Sequence, residues 1–195
     1  MRKVLNVGGN SKAILLPPQY NDFQHILLDI DPKGLPDIVC DARKLETLEP
    51  CQFDAIYCSH NLEHYYHHEV KKVLAGFLHV LKDDGFVQIR VPDISELMRI
   101  TVEKNLDIDD ILYKSSAGPI KVRDVLYGYS DEIEKSGLEY FAHKTGFTRK
   151  SLLKAINDAG FKKTYSLTKN IEIKMIAFKN TPSAKDLSLF NLPHE

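Results

Sequence analysis

The sequence predicts an α/β protein built on an open, mostly parallel sheet, and three observations carry that prediction. The run FDAIYCSHNLEHYYHHEVKKVLAGFLHVLKDDGFVQIRVPD, residues 53–93, reads without a break as strand, polar elbow, amphipathic helix, turn and second strand. Two earlier apolar segments, VLNVGG and LLDIDP, end in glycine or aspartate, where a strand gives way to a loop. Near the C-terminus two β-rich segments, 163–168 and 171–178, are separated only by Lys169 and Asn170, the spacing of an antiparallel hairpin. Open α/β sheets bind ligands beyond the carboxyl ends of their strands. The residues following each predicted strand are therefore the first candidates for chemistry, and together they suggest a site for a nucleoside-containing cofactor.

Each element follows from a local pattern. Lys3 to Val7 is a short apolar strand stopped by Gly8 and Gly9, and Ile26 to Ile30 is a second, with Asp29, Asp31 and Pro32 at its end. Roughly fifteen residues part them, near the minimum for a parallel crossover. Pro17 and Pro18 interrupt any helix there, so the first crossover is a stub. Asp37 to Cys40 gives a third strand, leading through Asp41 into a short helical piece, 42–45, and Asp54 to Cys58 gives the fourth. Val70, Val73, Leu74, Phe77, Leu78 and Leu81 recur at helical spacing and mark one buried stripe. Gly85 then turns the chain into the fifth strand, Phe86 to Val91.

Asp93 with Glu96 forms an N-cap and capping-box pair before a helix carrying Ile94, Leu97 and Met98. From 105 to 147 the periodicity weakens and Gly118, Pro119, Gly128 and several aromatics cluster, the composition of an insertion. Thr148 caps a last helix with stripe Leu152, Leu153 and Ile156, ended by Gly160. After the hairpin, Leu187, Leu189, Phe190 and Leu192 give a polar tail an apolar face that can dock on the body. The expected whole is a sheet of about seven strands with helices on both faces, in one domain spanning 1–195.

Composition narrows the partners. Lys plus Arg number 26 against 27 for Asp plus Glu, so no global field draws nucleic acid or an anionic membrane. Charge is nonetheless uneven: 149–179 holds eight basic and two acidic residues, and 103–139 nine acidic and five basic. Cys40, Cys51 and Cys58 form no CxxC pair and no disulfide framework, which fits a reducing cytoplasm. No cleavable leader and no bilayer-length apolar run is expected.

Cys58, His60, His64, His67 and His68 crowd into one short stretch, and His60 with His64 has the i, i+4 spacing that can set two imidazoles on one helix face. HNLEH is not HExxH, however, and no third ligand is evident in the sequence, so no metal is expected. A histidine is better read as a proton acceptor, with His60 the first choice and His64 the second. Gly8 and Gly9, lacking a Cβ, permit either a plain tight turn or the close approach of a ligand to the backbone of Gly8, Gly9 and Asn10. Asp29, with Ile30 beside it, can accept both hydroxyls of a ribose, and Asp31 is the fallback. For Asp41 two readings stand, an N-cap on the turn that follows and an acceptor for a base amino group.

The order VLNVGG, LLDIDP, DIVCDARKL, FDAIYCSHNLEH and VLKDDGFVQIRVPD resembles the class I S-adenosylmethionine-dependent methyltransferases, of the methyltransferase type 11-like kind, over nearly the whole chain. That family's glycine loop has alternating glycines, whereas Asn10 follows Gly8 and Gly9 here, and its usual Pro-Gly-Gly turn is Asp83, Asp84 and Gly85. The resemblance implies a Rossmann-like fold and S-adenosyl-L-methionine as cofactor, with S-adenosyl-L-homocysteine as product. It places the amino-acid end of the cofactor at Gly8 and Gly9, adenine at Asp41 and the backbone of Ala42, and the sulfonium near Ser59 and His60. The acceptor would be a small molecule methylated on oxygen or nitrogen, held under the 105–147 segment with Tyr127 and His143. Two other readings are carried: a non-catalytic cofactor-binding module and a nicotinamide oxidoreductase, the latter weakened by the absence of GxGxxG.

Overall fold

The computed structural model describes residues 1–115 and 118–193. Its strands are β1 (Arg2–Val7), β2 (Phe23–Asp29), β3 (Ile38–Val39), β4 (Phe53–Ser59), β5 (Leu81–Pro92), β6 (Ile111–Ser115), β7 (Gly118–Lys121), β8 (Lys163–Lys169) and β9 (Glu172–Phe178). Seven of them form one sheet in the order β3-β2-β1-β4-β5-β9-β8, and β6 pairs with β7 in a separate hairpin. β1 to β5 pair parallel, while β9 lies antiparallel to both β5 and β8. The order reverses at β1, so the loops after β1 and β4 leave the sheet side by side, which opens a crevice between them.

Alternation along the strands divides the core in two. Leu5 and Val7, Ile56 and Cys58, Val87, Ile89 and Val91 face the side covered by α1 (His67–Val80) and, after α2 (Ile94–Glu103), α3 (Val122–Tyr127) and α4 (Ser130–Ser136), by α5 (Arg149–Ala159). Val4, Ala55, Tyr57, Phe86 and Phe178 face the other side. There the cover is the single turn Pro18–Tyr20 and the tail, whose α6 (Ala184–Leu189) buries Leu187 while Leu189, Phe190 and Leu192 pack on the sheet. Gln88, buried on this face, accepts hydrogen bonds from Tyr20 (3.1 Å) and Gln19 (3.0 Å). The first crossover is the stub expected, with no α-helix among residues 8–22.

Three local expectations are corrected. Gly85 does not end α1; the helix passes straight into β5 through Leu81, and Gly85 sits in a bulge where β4 advances from Phe53 to Ala55 while β5 advances from Leu81 to Phe86. A Cβ there would lie 3.0 Å from the Lys82 carbonyl oxygen and 2.9 Å from Leu81 Cδ2, so glycine is required by close approach and not by turn geometry. Asp93 caps α2 through Ser95 and Glu96, but the Glu96 carboxylate pairs with Arg99 instead of returning to the cap. Met98, grouped with Ile94 and Leu97 on this helix, is 60% exposed.

Thr148 accepts from the Ser151 amide as expected, and α5 stops at Gly160 with φ 114°. Thr148→Ala is expected to cost about 1 kcal/mol, read as a lowered midpoint in denaturant at unchanged slope. Segment 105–147 has a small aliphatic core of its own, with Val122 and Val125 against Leu97 and Leu106, Leu112 and Ile120 around them. Its aromatics are not that core. Among the described residues no helix is long and apolar enough to cross a membrane.

Candidate active site

The crevice at the sheet's carboxyl edge is a cleft of ≈ 190 Å³. It gathers Gly8, Asn10, Asp29, Ile30, Asp41, His60 and His64 from the ends of β1, β2, β3 and β4. Gly9 and Ser59 lie on the other side of the glycine loop, in an adjoining hollow of ≈ 210 Å³ that Gly8 and Asn10 also line. Ala42 is buried behind Asp41, and its side chain does not line the cleft.

The loop after β1 is held by its neighbours. Gly8 has φ 68° and donates its N–H to the Leu28 carbonyl at 2.8 Å. A Cβ on it would meet the Asn61 side chain at 2.0 Å, and one on Gly9 would meet Asn6 at 2.1 Å, so both glycines are dictated by close packing. Asp29 accepts the Asn10 amide at 2.9 Å and the Asp31 amide at 3.0 Å, one on each carboxylate oxygen. A carboxylate oxygen has two lone pairs, so Asp29 fixes the loop and keeps acceptor capacity on both oxygens.

Asp41 follows the first of its two readings. Its carboxylate caps the turn 42–47 through the Arg43 amide, and the Arg43 guanidinium spans Asp41 (2.5 Å) and Glu69 of α1 (2.5 Å). Burial works to raise the Asp41 pKa, but the hydrogen bonds from Arg43 hold it below the usual carboxylate value.

The elbow after β4 separates the histidines. His60 takes φ 49°, and residues 62–64 form a tight single turn, so His60 and His64 do not share a helix face. The His60 ring lies between Glu172 of β9 (3.0 Å) and Glu63 (3.4 Å). Burial opposes its charge, but the two carboxylates outweigh burial and push its pKa up to about 9. With both ring nitrogens engaged and the proton retained at neutral pH, His60 is corrected from proton acceptor to a cation that ties β4 to β9. His64 differs. Its Nδ1 lies 3.1 Å from the Ala142 carbonyl, which can only accept, so Nδ1 carries the hydrogen and Nε2 the free lone pair.

Segment 105–147 reaches the cleft at its far end. The Tyr140 hydroxyl donates to Asp31 at 2.7 Å, and the amides of Lys144 and Thr145 donate to the Glu63 carbonyl. Burial, then the bond to Asp31, push the Tyr140 pKa up to about 12. Tyr127 is corrected as a cleft residue: it is 61% exposed and does not line the cleft, and its carbonyl accepts from the His143 amide. His143 faces the elbow, its ring 5.0 Å from that of His64. Burial lowers its pKa.

A model of a family described as a methyltransferase domain matches residues 6–89, from within β1 into β5. A structure of an S-adenosylmethionine-dependent methyltransferase from Archaeoglobus fulgidus superposes with TM-score 0.59 at 14% identity, covering 91% of this chain and 86% of that one. The chain therefore shares the fold of an S-adenosylmethionine-dependent methyltransferase, and its residues 6–89 are similar to a methyltransferase domain. A protein from Pyrococcus horikoshii OT3 shares this fold at TM-score 0.59 and 18% identity, covering 91% and 83% of the two chains. So does a Burkholderia thailandensis 1,6-didemethyltoxoflavin-N1-methyltransferase with bound S-adenosylhomocysteine, at TM-score 0.53 and 17% identity over 92% and 72%. No curated protein matches the sequence.

Within the cleft, sequence reasoning missed Asn61, Tyr65 and Arg43 as lining residues, and counted Tyr140 and Phe141 only among the clustered aromatics of the insertion. The Asn61 signal was available in principle, since an asparagine at a strand-end elbow opposite a glycine loop is a packing partner for that loop. Tyr140→Phe, which removes the bond to Asp31, is expected to weaken S-adenosylhomocysteine binding by about 3-fold with the melting temperature nearly unchanged, as read by calorimetry and thermal denaturation.

Proposed function

We propose that the chain transfers a methyl group from S-adenosyl-L-methionine to an oxygen or nitrogen of a small-molecule acceptor, releasing S-adenosyl-L-homocysteine. The observation that carries this reading is the convergence of Gly8, Asn10, Asp29 and Ile30 with the elbow after β4 in one cleft at the strand ends. Asp29 receives the ribose hydroxyls, the loop at Gly8 to Asn10 the amino-acid end, and the backbone near Asp41 and Ala42 the base. Residues 1–195 act as one methyltransferase-like unit in which 105–147 is lid and acceptor wall. A second groove of ≈ 750 Å³, walled by Arg90, Leu112, Tyr113 and Glu172, meets the cleft at His60, and this groove is the acceptor site.

Methyl transfer needs nucleophile and sulfonium in line and little else, so positioning supplies most of the rate. His64, with its Nε2 lone pair, is the group available to take the acceptor's proton. The lack of an α-helix after β1 disfavours a nicotinamide cofactor, whose pyrophosphate would need that helix N-terminus. The same curtailed crossover keeps a non-catalytic binding module as the second reading. Calorimetry with S-adenosylhomocysteine, NADH and ATP tests the proposal, followed by mass-spectrometric search for methylated product across acceptor mixtures. Binding of the first alone, with product, supports the enzyme; binding without any product supports the module; binding of NADH alone overturns both.

A further inference from the structure

Glu63 is 1% exposed, and neither of its carboxylate oxygens has a hydrogen-bond partner. A buried carboxylate left in that state costs several kcal/mol unless something of opposite charge completes it. His60 approaches one oxygen, at 3.4 Å, but is shared with Glu172. The oxygens of Glu63 look instead toward two other imidazoles: one ligand atom each from Glu63, His64 and His143 lie within 4.8 Å of one another.

The two imidazoles are prepared in the same way. His64 Nδ1 is bonded to the Ala142 carbonyl at 3.1 Å and His143 Nδ1 to the Val125 carbonyl at 3.0 Å. A carbonyl accepts only, so each ring carries its hydrogen on Nδ1 and leaves Nε2 bare. Fixing one ring nitrogen on a backbone oxygen so that the other faces an ion is the usual outer support of a metal-binding histidine. We propose that Glu63, His64 and His143 bind one divalent first-row transition ion of the zinc or cobalt type. Two nitrogens and one carboxylate oxygen suit such ions and suit magnesium or calcium poorly, because those prefer all-oxygen shells. Bonds of about 2.1 Å place tetrahedral ligand atoms roughly 3.4 Å apart, so the cluster needs to contract by little more than 1 Å.

The site joins two parts of the chain. Glu63 and His64 stand on the elbow after β4 and His143 on segment 105–147, so the ion would pin that segment beside the cleft that His64 lines. Three protein ligands leave a coordination position for water or an acceptor atom, in which case the ion lowers the pKa of an acceptor hydroxyl and His64, with its Nε2 on the ion, is not the base. The sequence hid this site because its third ligand lies far along the chain from the HNLEH stretch.

The test uses the full chain stripped with chelator and then titrated with Co²⁺ and Zn²⁺, with bound metal measured after equilibrium dialysis. Expected are a single equivalent bound at micromolar free metal, intense visible Co²⁺ bands of low coordination number, and a rise in melting temperature that millimolar Mg²⁺ does not reproduce. Glu63→Gln and His143→Asn should each weaken binding by about 10-fold or more. His143→Asn can still donate to the Val125 carbonyl, so its metal-free fold, checked by circular dichroism, separates ligand loss from unfolding. The double variant His67→Ala/His68→Ala should bind as the parent does. Absence of stoichiometric metal, or retention of full affinity in both Glu63→Gln and His143→Asn, overturns the proposal and leaves His60 as the counter-charge for Glu63.

Discussion

Phe77→Ala is expected to destabilise the fold by about 3–5 kcal/mol, the range for deleting a buried phenyl ring. Phe77 is 0% exposed in the middle of α1, whose stripe supplies Val70, Val73, Leu74 and Val80 to the larger half of the core. Collapse around the void is limited on the side of the turn 42–47: a Cβ on the adjacent Gly76 would lie 2.7 Å from Leu45 Cβ, so helix and turn are already in contact there. For a chain of this size each kcal/mol lowers the melting temperature by about 2–4 °C, so a drop of roughly 10 °C is expected. Met98→Ala is the contrast. The sequence grouped Met98 with Ile94 and Leu97 on α2, yet at 60% exposure its truncation should change stability by no more than about 0.5 kcal/mol. Equal losses at the two positions, measured in urea, would mean that the core is not the one described.

The difference between Phe77 and Met98 shows which features were legible. Strands, the stripe of α1, the caps at Asp93 and Thr148 and the closing hairpin are encoded within a few residues of one another, as period, cap chemistry and turn spacing. The strand ends that build the cleft were therefore read correctly in their order along the chain. Side-chain partners were not, because they come from remote segments. The Glu172 that holds His60 is 112 residues away, and the Asp31 that binds Tyr140 is 109. Arg43 was unremarkable in sequence, yet it pairs with Asp41 two residues away and with Glu69 of α1, which locks Asp41 in the cap that was one of its two readings. Gly85 misled for another reason. A glycine after a helix usually marks a left-handed stop, but here it relieves crowding inside a bulge, and only the opposing strand reveals that.

Asp29→Ala is expected to weaken S-adenosylhomocysteine binding by about 100-fold, roughly 2.7 kcal/mol. Two hydrogen bonds from ribose hydroxyls to a carboxylate, at about 1.5–3 kcal/mol each, are enough for that loss even when water recovers part of it. A second contribution is indirect. Asp29 also accepts the Asn10 and Asp31 amides, so removing it frees the glycine loop and the acidic turn together. Asp29→Asn separates the two contributions, since the amide keeps one oxygen for a backbone N–H but gives up half of the paired acceptor. About 10-fold weakening is expected there, with the melting temperature of the unliganded chain near that of the parent. Asp31→Ala supplies the remaining arm: its carboxylate caps the turn 32–34 and receives Tyr140, and its loss should affect affinity no more than Tyr140→Phe does. Calorimetric titration of the four proteins ranks the carboxylates directly. If Asp29→Ala binds within twofold of the parent, the ribose does not sit at the end of β2; if Asp31→Ala is the weaker binder, the sugar lies one turn further along the rim, against the lid.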